Sequence, residues 1–172
     1  MKSRQFLQTA RSARNGPREL LQTIFVSELF SPSRCLWIVS PWLRDVPVVD
    51  NSAGAFVSLV PDLPRTFVRL SHILRELIGR GTAVVVATRK EAGNRQLPDA
   101  LGALGTDAAA TFRERDVLHA KGLVGDGYSL IGSMNFTYNG VERLDEMLVF
   151  DTDRAKVEEL RLTFHNEYGG VL

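Results

Sequence analysis

Residues 118–137 read Leu-His-Ala-Lys-Gly-Leu-Val-Gly-Asp-Gly-Tyr-Ser-Leu-Ile-Gly-Ser-Met-Asn-Phe-Thr, and they predict a β-hairpin. Two apolar strands are expected over 118–124 and 128–132. The Gly125-Asp126-Gly127 sequence between them is typical of a tight turn. Side chains two positions apart on a strand point the same way, so His119 and Lys121 should share one face of the hairpin.

Polar side chains from both ends of this hairpin are expected to converge. The second strand returns Ser133 and Asn135 to the neighbourhood of His119 and Lys121. An imidazole, a fixed cation, a hydroxyl and an amide together suit a phosphoryl group, and backbone N–H groups after Ser133 would add donors if a helix starts there. The alternative is structural: His119 packs and Lys121 is solvated.

Asp126 occupies the turn itself. An aspartate in a Gly-Asp-Gly turn commonly fixes the turn by accepting hydrogen bonds from the backbone. We therefore assign Asp126 a structural role and not a catalytic one.

These residues resemble the signature of the phospholipase D superfamily, in which His-x-Lys and an aspartate precede Gly-Ser-x-Asn. The matching residues are His119, Lys121, Asp126, Gly132, Ser133 and Asn135. A further carboxylate of the family falls on Glu146. The chain departs from the usual pattern in two places: the spacing between Asp126 and Gly132 is one residue tighter, and Leu144 stands where an asparagine is frequent.

Helical and strand patterns alternate through the rest of the chain. They predict an α/β sandwich with a mixed, largely buried sheet flanked by helices, which the resemblance also implies. Strands are expected over 35–40, 82–88, 108–112 and 146–150, in addition to the hairpin. Helices are expected over 18–30, 64–80 and 97–104. A last one buries Val157, Leu160 and Phe164, with Tyr168 as a further candidate. Residues 42–63 show no sustained period and predict a long surface loop, with Trp42 placed either at the mouth of the site or away from it.

Length and composition indicate one domain spanning residues 1–172, of which 44% are hydrophobic. Cys35 is the single cysteine, which excludes an internal disulfide and a four-cysteine zinc site and favours a reducing compartment. No apolar run approaches the roughly 20 residues of a spanning helix, so we expect a cytoplasmic protein. The formal net charge of +1 conceals a basic N-terminal segment, interpreted as helical over about 1–17. The five bases at this end are Lys2, Arg4, Arg11, Arg14 and Arg18.

The resemblance also implies a mechanism. Members of the superfamily use two His-x-Lys motifs in one active site, and this chain carries one, which implies a homodimer with His119 and Lys121 of both copies meeting at a two-fold axis. One His119 would form a phosphohistidine and its mate would protonate the leaving oxygen, with no metal or other cofactor. Glu146 would orient His119, with Asp145 as a weaker substitute.

A single-motif chain of this size resembles the small bacterial nucleases of the superfamily, which implies DNA as the substrate and gives the N-terminal bases phosphates to neutralise. A narrower resemblance, to phospholipase D-like proteins of bacterial DNA-modification and restriction clusters that install 7-deazaguanine bases, implies further protein partners. Two alternatives stay open. The first is a phospholipase D-type lipid hydrolase, against which the lack of an amphipathic membrane-binding segment argues. The second is a non-catalytic nucleic-acid-binding component of a DNA-modification or defence complex.

Overall fold

A computed structural model of the chain describes residues 3–8, 16–105, 110–142 and 145–172. The strands in these residues are β1 (Arg4–Gln8), β2 (Cys35–Val39), β3 (Pro47–Asp50), β4 (Phe67–Arg69), β5 (Ala83–Arg89), β6 (Ala110–Arg115), β7 (Gly122–Val124), β8 (Ser129–Gly132) and β9 (Glu146–Asp151). The helices are α1 (Gly16–Phe30), α2 (Leu70–Gly79), α3 (Gln96–Ala103), α4 (Tyr138–Glu142) and α5 (Arg154–Tyr168). A short 3₁₀ turn over Ala92–Arg95 precedes α3.

Strand β2 lies at the centre of the molecule, and all of its side chains are buried. Leu36 and Ile38 point to one face and join the core that helices α1, α2 and α3 cover. Trp37 points to the other face and packs with Phe164 and Tyr168 of α5. Because successive side chains of a strand alternate between faces, a strand with helices on both sides reads as a continuous apolar run.

Seven strands form the main sheet, in the order β1-β9-β8-β7-β2-β5-β6. Strands β2, β5 and β6 are parallel, whereas β7, β8, β9 and β1 each pair antiparallel with their neighbours. The sheet is therefore mixed and flanked by helices, which confirms the fold class predicted from the sequence.

The strand register brings four chain segments together at one end of the strands. Val39 at the end of β2 pairs with Gly122 at the start of β7. Gly122 pairs in turn with Ile131 near the end of β8, and Gly132 pairs with Leu148 near the start of β9. The residues that follow β2, precede β7, follow β8 and open β9 consequently lie side by side.

The segment before α2 differs from its prediction. The helix expected over 64–80 begins at Leu70, because Phe67–Arg69 forms β4 and pairs antiparallel with Pro47–Asp50. Val68 is buried between two exposed neighbours, which is the two-residue period of a strand and not that of a helix. The predicted loop over 42–63 thus contains one strand, β3.

Two further expectations are corrected at strand ends. Strand β7 begins at Gly122, so His119 and Lys121 precede it in irregular backbone and do not lie on the strand predicted over 118–124. The helical interpretation of the N-terminal segment is wrong for Arg4–Gln8, which pairs with β9 at the sheet edge. Residues 1–2 and 9–15, with Lys2, Arg11 and Arg14, lie outside the described residues, as does Leu144.

Among the described helices, none combines the length and the apolar character that crossing a bilayer requires.

Candidate active site

An open groove of about 820 Å³ lies at the end of the strands where the four segments meet. Its lining includes His119 and Lys121 before β7, Ser133 and Asn135 after β8, and Trp42 after β2. Four of the five predicted site residues therefore line one surface, and the fifth, Glu146, opens the adjacent strand β9.

Lys121 is held against the backbone of His119. Its Nζ donates to the His119 carbonyl oxygen at 2.7 Å and lies 3.5 Å from His119 Nδ1. An ammonium has three protons, and the bond to the carbonyl uses one of them. The pair therefore presents an exposed imidazole beside a cation whose remaining protons can bind an anion in the groove.

Glu146 is nearly buried, with 5% of its surface exposed, and its carboxylate is bound by the hydroxyl of Ser133. Ser133 Oγ also accepts a hydrogen bond from the Met147 N–H at 3.0 Å, and the Ser133 N–H donates to the Met147 carbonyl at 3.0 Å. A serine hydroxyl has one proton to donate, and here Glu146 receives it. The predicted donation from Ser133 to a phosphoryl group would therefore compete with this bond.

Glu146 acts on Lys121 through its charge. Partial burial lowers the pKa of Lys121, and the negative charge of Glu146 opposes that shift. The described contacts include no hydrogen bond between Glu146 and the His119 ring, so the orienting role predicted for Glu146 stays a prediction.

Asn135 lines the groove, and its Oδ1 is buried with no hydrogen-bond partner among the described residues. Its backbone carbonyl accepts the Thr137 N–H at 2.8 Å, and Gly140 of α4 packs so closely that a Cβ there would lie 2.3 Å from the same carbonyl oxygen. These contacts fix the backbone at Asn135. Since an amide oxygen only accepts hydrogen bonds, the group that this side chain can offer an anion is its Nδ2 amide.

Asp126 lies in the turn between β7 and β8 and does not line the groove. Its carboxylate accepts from Arg34 N at 3.1 Å, from Arg34 Nε at 3.2 Å, and from Nη1 of the fully buried Arg161 on α5. Burial alone would raise the pKa of Asp126, but the hydrogen bonds from Arg34 and Arg161 and the charge of Arg161 outweigh burial and lower it. These contacts support a structural role, which ties the hairpin to β2 and to α5.

Sequence reasoning missed the apolar floor of the groove. Met147, Val149, Leu160 and Phe164 line it, and Met147 is 57% exposed. Leu160 and Phe164 belong to the apolar side of α5, a pattern that predicts burial but does not show which strand edge the helix reaches. Trp42, for which the sequence left two places open, lies in the groove.

A second cavity, of about 650 Å³, lies between α1 and the β8–β9 pair and includes no predicted site residue. It contains Glu28, whose carboxylate accepts from the N–H and the hydroxyl of Ser33 at 2.8 and 2.6 Å. Burial, and then the charge of Glu28, raise the pKa of Tyr128 well above its usual value. These groups pack against the hairpin and lie outside the groove that contains His119.

Solved structures with the same fold include two for which the match covers nearly all of both chains. NucT from Helicobacter pylori has a TM-score of 0.63 at 14% identity, covering 99% of each chain. Nuc from Salmonella typhimurium, a phospholipase D family member, has a TM-score of 0.59 at 13% identity, covering 95% of this chain and 91% of its own. TrmBL2, an archaeal chromatin protein with a novel mode of DNA binding, has a TM-score of 0.54 at 12% identity and covers 99% of this chain and 54% of its own. No curated protein matches the sequence.

The family comparison identifies the chain at the level of its domain. The family described as "Cardiolipin synthase, PLD-like domain" matches residues 58–168, which is well over half of the 172 residues and contains every predicted site residue. The matched residues run from just before β4 to the end of α5, and the chain therefore belongs to the phospholipase D-like family.

Proposed function

We propose that the protein is a metal-independent phosphodiesterase that hydrolyses DNA through a phosphohistidine, at a site shared by two identical chains. The observation that carries the proposal is the convergence of His119, Lys121 and Asn135 on one open groove. A nucleophilic imidazole, a neighbouring cation and an amide N–H donor are groups that suit phosphoryl transfer.

In the first step, a ring nitrogen of His119 attacks phosphorus and the bond from phosphorus to the leaving oxygen breaks. The imidazole of the partner subunit's His119 gives that oxygen its proton. Lys121 and Asn135 offset the charge that develops on the non-bridging oxygens.

In the second step, water attacks the phosphohistidine and passes a proton to the imidazole that acted as the acid. The bond between nitrogen and phosphorus breaks, and both imidazoles return to their starting state. Two chemically identical histidines thus hold opposite protonation states during the reaction. We expect a bell-shaped dependence of rate on pH.

The open groove supports a second copy of the chain as the missing half of the site. Met147, next to Glu146, is 57% exposed, and Val117, two residues before His119, is 84% exposed. Apolar side chains left in water beside a catalytic groove are typical of an interface. A two-fold axis through this surface would bring the two copies of His119 together.

The choice of DNA rests on the resemblance to small nucleases of the superfamily, and the matches to NucT and Nuc over nearly their full lengths support a fold shared with that group. The DNA-binding protein TrmBL2 shares the fold as well. A place beside the proteins of a DNA-modification or restriction system rests on the sequence resemblance alone.

End-labelled DNA incubated with the protein in EDTA tests this function. We expect cleavage by the wild type, none by His119→Ala, and cleavage by His165→Ala, which removes a histidine outside the groove. Phosphatidylcholine vesicles assayed in parallel separate the alternatives. Choline release without DNA cleavage would identify a lipid hydrolase. Binding of DNA with cleavage of neither DNA nor lipid would identify a binding module. Activity that EDTA removes and magnesium restores would contradict the metal-independent step.

A further inference from the structure

Trp42 stands at the groove with 40% of its surface exposed, although tryptophan contributes most to stability when it is buried. The guanidinium carbon of Arg89 lies 5.8 Å from the centroid of the Trp42 ring, within the range of a cation–π contact. The second tryptophan, Trp37, is fully buried and donates from Nε1 to the Gly169 carbonyl at 2.8 Å. The two tryptophans thus have different roles, and only Trp37 serves the core.

The backbone around Trp42 is fixed on both sides. The Trp42 carbonyl accepts from Ser40 Oγ at 2.7 Å, and the same hydroxyl accepts from the Phe136 N–H at 3.1 Å. The next residue, Leu43, donates its N–H to the buried side chain of Asn94 at 2.8 Å. These bonds fix the backbone from which the indole projects, and the Arg89 guanidinium lies near its ring.

The same bonds join Trp42 to the segment after β8 that carries Asn135. Phe136, whose N–H donates to Ser40 Oγ, directly follows Asn135, and its carbonyl accepts the Arg44 N–H at 2.8 Å. The backbone that carries the indole is therefore tied to the backbone of a residue that would hold the scissile phosphate.

We propose that Trp42, backed by Arg89, is a stacking platform for one nucleobase beside the scissile phosphate, and that it makes the site selective for unpaired strands. This inference rests on the proposed function. The faces of a base are free only where the base is unpaired, because a duplex covers both faces with neighbouring pairs. An aromatic side chain contributes about one to two orders of magnitude in affinity per stacked base, irrespective of sequence.

Steady-state cleavage of matched single-stranded and duplex oligonucleotides tests the platform. We expect Trp42→Ala to raise KM for the single strand about tenfold with kcat little changed, and to change duplex cleavage by a much smaller factor. Trp42→Phe should retain most of the single-strand affinity, since a phenyl ring also stacks.

An abasic residue moved along the single strand locates the stacked base. At one position next to the cleaved bond, we expect the wild type to lose the same factor that Trp42→Ala loses. At that position Trp42→Ala should lose nothing more, because the two changes remove one interaction.

The chain offers a matched control in Phe67, a 46% exposed aromatic ring with the guanidinium of Arg18 at 4.2 Å. Phe67 lies outside the groove, so Phe67→Ala should leave both substrates unaffected. Equal losses on single strand and duplex in Trp42→Ala would overturn the platform, as would dissociation of its dimer in size-exclusion chromatography.

A binding measurement separates this inference from the proposed function. Oligothymidylate should quench the tryptophan fluorescence of the wild type, and the quenching should be lost in Trp42→Phe while buried Trp37 keeps its emission. Quenching without cleavage would support the platform and contradict the nuclease. Cleavage without quenching, or neither, would overturn the platform.

Discussion

The charge of Glu146 favours the protonated form of Lys121, which lines the groove. Glu146 is buried beneath Ser133, and its charge opposes the burial that lowers the pKa of Lys121. A cation that must bind phosphate has to keep its proton at working pH, and the carboxylate favours the protonated form. Glu146 does not line the groove, and it thus acts on Lys121 through its charge.

The pH dependence of kcat/KM should reveal this coupling. Removing the charge in Glu146→Gln removes the contribution that raises the pKa of Lys121, so the lysine loses its proton at lower pH. Loss of the Lys121 proton ends phosphate binding at the high-pH end of the profile, beyond the bell that the two histidines set, and we expect this alkaline limb to move to lower pH in the variant.

The neighbouring carboxylate provides the control for that shift. Asp145 is exposed and is not among the charges that shift Lys121, so Asp145→Asn should leave the alkaline limb in place. A shift in Asp145→Asn with none in Glu146→Gln would assign the role to the other carboxylate.

At the scale of elements, Gly132 sets the distance between β8 and β9. A Cβ on this residue would lie 2.0 Å from the Met147 carbonyl oxygen, far inside van der Waals contact. That carbonyl accepts the Ser133 N–H, so the close approach of the two strands also positions Ser133 over Glu146. The motif glycine therefore serves the geometry of the site through strand packing.

Gly132→Ala should lower the free energy of unfolding by on the order of 1–3 kcal/mol, because the added methyl group must displace backbone. Urea denaturation followed by circular dichroism measures this loss, and DNA cleavage should fall with it. Gly127, in the same hairpin, has no atom within 4 Å of an added Cβ, so Gly127→Ala should change stability by less than about 0.5 kcal/mol. Equal losses in the two variants would show that chain flexibility, and not strand contact, explains the glycine.

For the whole molecule, the proposed shared site predicts how activity falls as the fraction of altered subunits rises. A site that needs His119 from both copies is lost in every dimer that contains one His119→Ala chain. Separate sites would lose only the altered copy.

Activity measured after co-refolding wild type with increasing fractions of His119→Ala distinguishes these cases. With half of the chains altered, random pairing leaves about one quarter of the dimers intact, so activity on DNA should fall to about one quarter of the wild-type value. A linear fall to about one half would show that each chain carries a complete site. Sedimentation of the mixtures checks that pairing is random.

Local pattern was sufficient for much of this fold. Helix α1, strands β2 and β5, helix α3 and strands β8 and β9 form within about two residues of their predicted bounds, because each depends on the period of its own side chains. The errors occur where tertiary pairing overrides that period. Phe67–Arg69 joins β3 and not α2, and Arg4–Gln8 joins β9 at the sheet edge.

The sequence by itself determined the superfamily and the proximity of four residues, His119, Lys121, Ser133 and Asn135. One hairpin carries the motif, and chain connectivity alone brings its two ends together. Only the tertiary structure decided that Trp42 lines the same groove and that Arg161 of α5 binds Asp126. It also decided that Ser133 gives its proton to Glu146. The order of strands in a sheet and the docking of a helix on its face depend on contacts between residues far apart in the chain, and no local period records them.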